Sequence, residues 1–248
     1  MIEIRRVRKS FGGKPVLKGI SLDIPENSAT VLIGRSGCGK TVLLRILIGL
    51  LRPDEGQVLV DGEDMAGLSR KALFRARRKF GMLFQSAALF DSMTVGENIS
   101  LALREHTGLS RAEIAGKVRE KLDLVGLGGV EDKMPSELSG GMKKRVGLAR
   151  ALIMDPRYIL YDEPTTGLDP ETADAINDLI GGTGRRLGIT SVVVTHDLFS
   201  ARRIGDRFAM ISEGHIIFEG TPEAFQACQK PAVRRFINGS GLGPEERP

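Results

Sequence analysis

The chain has 248 residues, of which 41% are hydrophobic and 27% charged, and its formal net charge is +5 at pH 7. No apolar run is long enough to cross a bilayer and no apolar signal segment follows the charged N-terminus, so we expect a soluble chain of one large α/β domain or two small ones. Two isolated cysteines, Cys38 and Cys228, fit a reducing cytosol, and scattered basic residues with 5% aromatic content argue against nucleic acid as a partner.

The first third of the chain alternates strand and turn signals. Apolar or alternating segments predict strands at residues 2–7, 20–24, 29–33 and 57–60. A helix is expected from Lys40 to about Leu50, where Arg52 and Pro53 would stop it. Because the strand at 29–33 ends at a glycine shortly before this helix, the two elements predict a strand–loop–helix unit.

The middle of the chain is predicted to be mostly helical. Thr94 and Ser110 are each followed three residues later by glutamate, which is the capping-box pattern, so helices should begin directly after them. A further helix after Ser139 places its apolar residues on one face. The basic residues of that helix are predicted to lie mostly on an opposite, solvated face; they are Lys143, Lys144, Arg145 and Arg150.

The last third returns to alternating strands and helices. Buried parallel strands are predicted at residues 158–161 and 191–195, and a hairpin at 208–211 and 216–218. Asp169 and Pro170 form the N-cap and first position of a helix, and Thr221 starts a final helix. From residue 238 onward the tail has little to bury, so we expect residues 238–248 to be disordered alone or bound to a partner. No internal repeat is found.

The loop after the strand at 29–33 matches the phosphate-binding pattern G-x-x-x-x-G-K-[ST]. Its backbone N–H groups would surround phosphate oxygens at the positive end of a helix dipole. Lys40 is expected to neutralise the β and γ phosphates, and Thr41 to offer a hydroxyl to Mg²⁺. The residues predicted to hold ATP in this loop are Gly34, Arg35, Ser36, Gly37, Cys38, Gly39, Lys40 and Thr41.

Two acids end the predicted strand at 158–161. Asp162 can hold Mg²⁺ through water, and Glu163 can act as the general base that polarises the attacking water. Alone, these residues could be surface acids at the end of a strand. A phosphate-binding loop in the same chain favours the catalytic interpretation.

Ser139, Gly140 and Gly141 form a second anion-binding arrangement, because a hydroxyl and free N–H groups meet at a helix start. One triphosphate does not need two such sites in one chain. The economical explanation is that Ser139 of one copy covers the γ-phosphate held by another copy. Together with the preceding motifs, this segment resembles the signature of ABC transporter ATPases, and the resemblance spans about residues 2–225.

The resemblance implies an α/β fold of the P-loop NTPase class, with a RecA-like core, an antiparallel β subdomain and an α-helical signature subdomain. The ATPase domain would cover residues 1–237 and its helical subdomain about 86–155. The implied enzyme is an ATPase coupled to transport, using ATP and Mg²⁺ and working as a homodimer beneath a separate integral membrane permease. ABC ATPases of DNA repair or translation usually carry two cassettes or long coiled coils, and a P-loop kinase would leave Ser139 without a purpose.

The same resemblance implies roles for further residues, each of which also has a simpler explanation. Phe11 would stack on adenine, although core or turn packing explains it equally well. Gln85 would contact Mg²⁺ and the attacking water and link hydrolysis to the permease. Asp169 would act across the dimer as well as capping a helix, and His196 would contact the γ-phosphate. Val42 departs from the commonest pattern, which has a second hydroxyl residue at this position for the α-phosphate, so we expect slightly weaker ATP binding.

Three segments resemble the ATPases of MCE-type phospholipid transporters, the maintenance-of-lipid-asymmetry or toluene-tolerance system; they are residues 84–95, 139–150 and 231–239. This implies phospholipid trafficking between inner and outer membranes, from the cytoplasmic face of the bacterial inner membrane. A periplasmic MCE protein and a small STAS-domain regulator are the implied further partners. The alternative is the ATPase of an amino-acid or metal-ion ABC importer, which would share every core motif.

Overall fold

The computed structural model describes residues 1–239, in which helices surround two β-sheets. The strands are β1 Ile2–Phe11, β2 Lys14–Ile24, β3 Ala29–Ile33, β4 Glu55–Val60, β5 Glu63–Asp64, β6 Phe80–Leu83, β7 Tyr158–Asp162, β8 Thr190–Thr195, β9 Arg207–Ser212 and β10 His215–Gly220. The helices are α1 Lys40–Leu47, α2 Arg70–Arg77, α3 Val95–His106, α4 Arg111–Leu124, α5 Gly140–Leu152, α6 Pro170–Leu187, α7 Leu198–Ile204, α8 Pro222–Ala227 and α9 Pro231–Gly239.

The larger sheet has the strand order β10-β9-β3-β8-β7-β6. Neighbouring strands from β9 to β6 run parallel, and β10 pairs antiparallel with β9 at one edge. The smaller sheet is antiparallel throughout, in the order β2-β1-β4-β5. This combination of a parallel core and a separate antiparallel sheet confirms the predicted fold class.

The central strands of the larger sheet, β9, β3, β8 and β7, are buried on both faces. In β3, Val31 and Ile33 join one hydrophobic cluster, whereas Leu32 between them joins the other. This follows from the period of two in a strand, which points successive side chains to opposite faces. The first cluster also contains the apolar faces of α3, α4 and α5, and the second includes α1 and the inner face of the smaller sheet. The loops at the strand ends therefore sit on a rigid support.

The prediction that the helix beginning at Lys40 reaches Leu50 was wrong, because α1 ends at Leu47. Gly49 adopts a φ of 67°, which is a left-handed conformation that favours glycine. Its N–H bonds to the Ile46 carbonyl at 2.9 Å, and the N–H of Leu50 bonds to the Arg45 carbonyl at 2.8 Å. This is the Schellman pattern of helix termination, so Gly49 stops the helix before Pro53 is reached.

The predicted helix starts are confirmed. Thr94 and Ser110 both form complete capping boxes, with their hydroxyls accepting from the third helical N–H. Asp169 caps α6 with Pro170 as the first helical residue, and Thr221 caps α8. These side chains satisfy N–H groups that a helix leaves unpaired.

Helix α9 continues through Asn238 and Gly239, the first two residues of the predicted tail. The helix is anchored by Val233, Phe236 and Ile237, whose spacing places them on one helical face. Residues 240–248, the rest of the predicted tail, lie outside the described part of the chain.

Candidate active site

The candidate catalytic residues lie at one edge of the larger sheet. The strands β6, β7, β8 and β3 are consecutive parallel neighbours, so their carboxyl ends meet at the same edge. The segments that follow them carry Gln85, Glu163, His196 and the loop that begins at Gly34. This is the edge at which open α/β sheets bind ligands. The topology therefore brings together residues that are far apart in the chain.

The loop between β3 and α1 is closed around the Lys40 ammonium. Lys40 Nζ donates to the Gly34 carbonyl at 2.6 Å and to the Arg35 carbonyl at 3.2 Å, and only 5% of the residue is exposed. Gly39 has a φ of 105° directly before α1, a conformation that residues with a Cβ rarely adopt. The loop thus places a buried positive charge and a helix N-terminus at the same point, as anion binding requires.

Thr41 and Asp162 meet across this site. Thr41 Oγ1 donates to Asp162 Oδ1 at 2.9 Å. Burial raises the pKa of Asp162, while the hydrogen bond from Thr41 opposes that rise. A hydroxyl and a carboxylate at this distance fit a Mg²⁺ ion that is shared with substrate phosphates, because Mg²⁺ in such sites takes few protein ligands. In residues 1–239, by contrast, there is no cluster of three or more His, Cys, Asp or Glu side chains that could hold a metal alone.

Glu163 is held by neighbours on several sides. His196 Nδ1 lies 3.0 and 2.9 Å from its two carboxylate oxygens, and Thr166 Oγ1 donates to Oε2 at 3.2 Å. Lys40 Nζ lies 3.8 Å from Oε1. The φ of Glu163 is 49°, a left-handed value that is uncommon for a residue with a Cβ and is frequent where function imposes strain.

A cavity of about 410 Å³ opens between these residues. Phe11 lies at its rim with 46% of the residue exposed. The predicted residues in its wall are Phe11, Ser36, Gly37, Gly39, Lys40, Thr41, Val42, Gln85, Glu163 and His196, and Val16 is a further lining residue that the sequence interpretation missed. Val42 also packs against the second hydrophobic cluster, so its side chain serves the core as well as the cavity.

Other predicted ATP-binding residues do not line this cavity. Arg35 and Cys38 line a different cavity, of about 340 Å³, which Arg235 and Phe236 of α9 also line. Gly34 is buried, and a Cβ there would lie 2.4 Å from the Ile211 carbonyl oxygen. From these positions Gly34, Arg35 and Cys38 can offer backbone groups, rather than side chains, to a ligand in the 410 Å³ cavity.

Ser139, Gly140, Gly141 and Asp169 also lie outside the wall of the 410 Å³ cavity. Ser139 is exposed at the N-cap of α5, where its hydroxyl accepts from the Met142 N–H at 3.3 Å. A Cβ on Gly141 would lie 2.6 Å from the Thr172 side chain, so the starts of α5 and α6 adjoin. The N–H donors of Ser139, Gly140 and Gly141 thus form a surface separate from the phosphate-binding loop of the same chain.

The prediction of a solvated basic face on α5 was wrong for Lys144 and Arg150. Lys144 is 5% exposed and its ammonium donates to the Gln85 carbonyl. Arg150 donates to the carbonyls of Ala87 and Ala88, at 2.6 Å each. The sequence did contain a signal, because Lys144 shares a helical face with the small or apolar residues three, four and seven positions later, Gly147, Leu148 and Ala151.

Residues 17–166 match the family model described as ABC transporter. The match covers more than half of the chain and includes the phosphate-binding loop, the segment that starts at Ser139, and both acids that end β7. The chain therefore belongs to the ABC transporter family, as an ATP-binding, ATP-hydrolysing member. No helix among residues 1–239 is both long and apolar enough to span a membrane.

Curated relatives resemble nearly the whole chain. "Probable ribonucleotide transport ATP-binding protein mkl" of Mycobacterium leprae is 46% identical over 98% of this chain and 70% of its own length. The intermembrane phospholipid transport system ATP-binding protein MlaF of Escherichia coli is 41% identical over 98% of this chain and 91% of its own length. The chloroplastic protein trigalactosyldiacylglycerol 3 of Arabidopsis thaliana is 44% identical over 98% of this chain and 75% of its own length.

A solved structure supports the same assignment. It is a dimeric ATP-binding cassette in a post-hydrolysis state with ADP and Pi bound, and it superposes with a TM-score of 0.82 at 33% sequence identity. The alignment covers 90% of this chain and 99% of the other. At this identity the likeness extends beyond fold class to the ATPase family.

Proposed function

We propose that the chain is the ATPase of a transporter that moves phospholipid between the inner and outer membranes of a bacterium. The observation that supports the cargo best is the 41% identity to MlaF, which spans 91% of that phospholipid transport protein. The identity to trigalactosyldiacylglycerol 3 supports a lipid cargo as well. Mycobacterial mkl, named for ribonucleotide transport, is 46% identical, so ribonucleotide is the second candidate cargo.

In the proposed reaction, Phe11 supports adenine at the cavity rim, and the loop N–H groups with Lys40 hold the triphosphate. Thr41, Asp162 and Gln85 would hold Mg²⁺, which would supply positive charge to neutralise the phosphate oxygens. Glu163 accepts a proton from the attacking water. His196 restricts the orientation of the Glu163 carboxylate through the contacts at 3.0 and 2.9 Å, and positioning of this kind supplies much of the catalysis in phosphoryl transfer.

The proposed active unit is a head-to-tail homodimer. Ser139, Gly140 and Gly141 offer a hydroxyl and N–H groups at a helix start, yet they lie outside the wall of their own chain's cavity. In a second copy turned to face the first, these donors would cover the γ-phosphate, and Asp169 would lie at the same interface. The dimeric state of the solved relative supports this arrangement.

We propose that the ATPase domain spans residues 1–237, with a helical subdomain at about 86–155, and that it sits on the cytoplasmic face of the inner membrane. Its proposed partners are an integral membrane permease, a periplasmic MCE protein and a small STAS-domain regulator. Closure of the dimer would move the Gln85 segment and the helices that follow it, and so transmit the change to the permease.

The test is to purify the complex from native membranes and identify the bound chains and lipids by mass spectrometry. We expect an MCE protein and phospholipid, and phospholipid transfer between vesicles that stops without ATP. Co-purification with a solute-binding protein, or ATPase stimulation by an amino acid, a metal ion or a ribonucleotide in place of phospholipid, would contradict the proposed cargo.

A further inference from the structure

Two cationic side chains of α5 hold the segment that follows β6. The Lys144 ammonium donates to the Gln85 carbonyl and lies 3.4 Å from the Glu163 carbonyl oxygen. Six residues further along the helix, the Arg150 guanidinium donates to the carbonyls of Ala87 and Ala88 at 2.6 Å each. The backbone of residues 85–88 is therefore attached to α5 at several points.

This attachment compensates for an unfavourable backbone conformation. Ala87 and Ala88 have φ values of 61° and 48°, and consecutive left-handed residues with a Cβ are disfavoured unless the surroundings impose them. Hydrogen bonds with a charged donor are stronger than neutral ones, so the Arg150 guanidinium is suited to hold these carbonyls in place.

The helix and the segment are also in close steric contact. A Cβ on Gly147 would lie 2.7 Å from the Leu83 side chain and 3.3 Å from Ala87 Cβ. A Cβ on Gly81 in β6 would lie 2.2 Å from the Ala151 carbonyl oxygen. With no space between α5 and the strand that leads to Gln85, a shift of the helix must displace the Gln85 segment.

Of the two cationic side chains, Lys144 is the one that reaches the sheet edge with the candidate catalytic residues. It is 5% exposed, and its two carbonyl partners belong to the residues proposed to bind Mg²⁺ and to activate water. Burial lowers the pKa of Lys144, while the nearby carboxylates of Glu163 and Asp162 oppose that fall. An ammonium carries three donors on a flexible stem, so one side chain can bridge both backbone segments.

We propose that Lys144 is a positioning residue that connects Ser139, at the start of α5, to Gln85 and Glu163 of the same chain. The inference rests on the proposed dimer, in which Ser139 contacts the nucleotide held by the second copy. Closure on that nucleotide would shift α5, and Lys144 would pass the shift to the hydrolytic groups of the other site. Each site would then hydrolyse ATP efficiently only when its neighbour is also closed.

The experiment compares Lys144→Met, which keeps length and removes the donors, with Lys143→Met as the matched control. Lys143 is its neighbour on α5, and its side chain has no hydrogen bond or ion pair with any other residue in the described range 1–239. In the assembled transporter we expect Lys144→Met to lower kcat about 10- to 100-fold, with little change in KM for ATP and a Hill coefficient that falls toward one. Lys143→Met should keep all three wild-type values, and Lys144→Arg should recover part of kcat.

A Glu163→Gln background separates positioning from folding. If Lys144 positions the hydrolytic groups, the Glu163→Gln chain with and without Lys144→Met should dimerise at the same ATP concentration. Wild-type kcat in Lys144→Met, or loss of ATP-driven dimerisation in the double variant, would overturn the proposal. If Lys144→Met does not fold, Lys144→Leu, which also removes the donors, must show the same kcat-selective loss. Failure of the Glu163→Gln chain to dimerise at all would instead refute the proposed dimer.

Discussion

The sheet edge and the start of α5 are the two regions proposed to bind phosphate, but they differ in completeness. At the sheet edge, Thr41 bonds to Asp162 and Lys40 lies close to Glu163 within one chain. At the start of α5, Ser139 is exposed and its hydroxyl bonds only within its own helix start, to the Met142 N–H, among the described contacts. In the first region the proposed catalytic side chains are already assembled, whereas in the second the exposed donors have room for a partner from a second copy, as proposed. The difference supports the proposal that one chain carries two halves of a site, which a second copy completes.

The largest expected effect lies at the sheet edge. Glu163→Gln should lower ATP turnover about 10²- to 10⁴-fold, because the general base is lost, while ATP binding persists since Lys40 and the loop are untouched. Turnover and equilibrium ATP binding measured on the same preparation check both parts. Wild-type turnover in this variant would refute the role of Glu163.

A substitution at the start of α5 tests the other half of the comparison. Ser139→Asp should lower turnover about 10²-fold through repulsion of the γ-phosphate and loss of a donor. Binding of ATP to the monomer should not change. Ser136→Asp, the same change at an exposed position in the turn Pro135–Glu137 just before α5, serves as the control.

Mixing the two variants shows whether Ser139 acts on the nucleotide of its own chain or on that of a second copy. A dimer of one Ser139→Asp chain and one Glu163→Gln chain contains one intact site if Ser139 serves the opposite chain, so part of the turnover should reappear on mixing. It should stay below half of the wild-type value, because the neighbouring site carries both substitutions and cannot close fully. If Ser139 served its own chain, both sites would remain damaged and mixing would restore nothing. The mixed dimer therefore sharpens the comparison more directly than either single variant.

A smaller effect is expected on the free energy of unfolding when Asp162 is replaced. Burial raises the pKa of this carboxyl, so its contribution to stability is fully present below the unfolded pKa and is lost as the pH rises through the folded pKa. At neutral pH the buried charge of Asp162 therefore lowers the free energy of unfolding. Asp162→Asn should raise that free energy by about 0.5–2 kcal/mol, and it should also abolish Mg²⁺-dependent turnover. Thermal unfolding without nucleotide measures the first effect. A lower Tm would show that the Thr41 hydrogen bond outweighs desolvation.

The smallest effect is expected at Val42 in the cavity wall. Val42→Thr adds a hydroxyl where many ABC ATPases have one, and should tighten ATP binding about two- to tenfold. Val42→Ala is the matched control, because it removes packing without adding a donor and should not tighten binding. An unchanged dissociation constant for Val42→Thr would refute the expected weakness of this position.

The sequence by itself determined the local chemistry. The phosphate-binding loop, the acids at the end of β7 and the capping boxes at Thr94 and Ser110 depend on residues that are close in the chain, so short patterns were sufficient to predict them. The ABC family and its fold class followed from the same patterns. Helix boundaries were predicted less accurately, because the pattern before Pro53 did not reveal that Gly49 terminates α1 first.

Only the tertiary structure decided which distant residues meet. Strand order places Gln85, Glu163 and His196 at one edge with the loop at Gly34, and no local pattern contains that order. The sequence predicted that Lys144 lies on a solvated face, whereas the structure buries it between the carbonyls of Gln85 and Glu163. The physical reason is that the burial of a helical face depends on what packs against it. The segment that packs against Lys144 and Arg150 lies about 60 residues away in the chain.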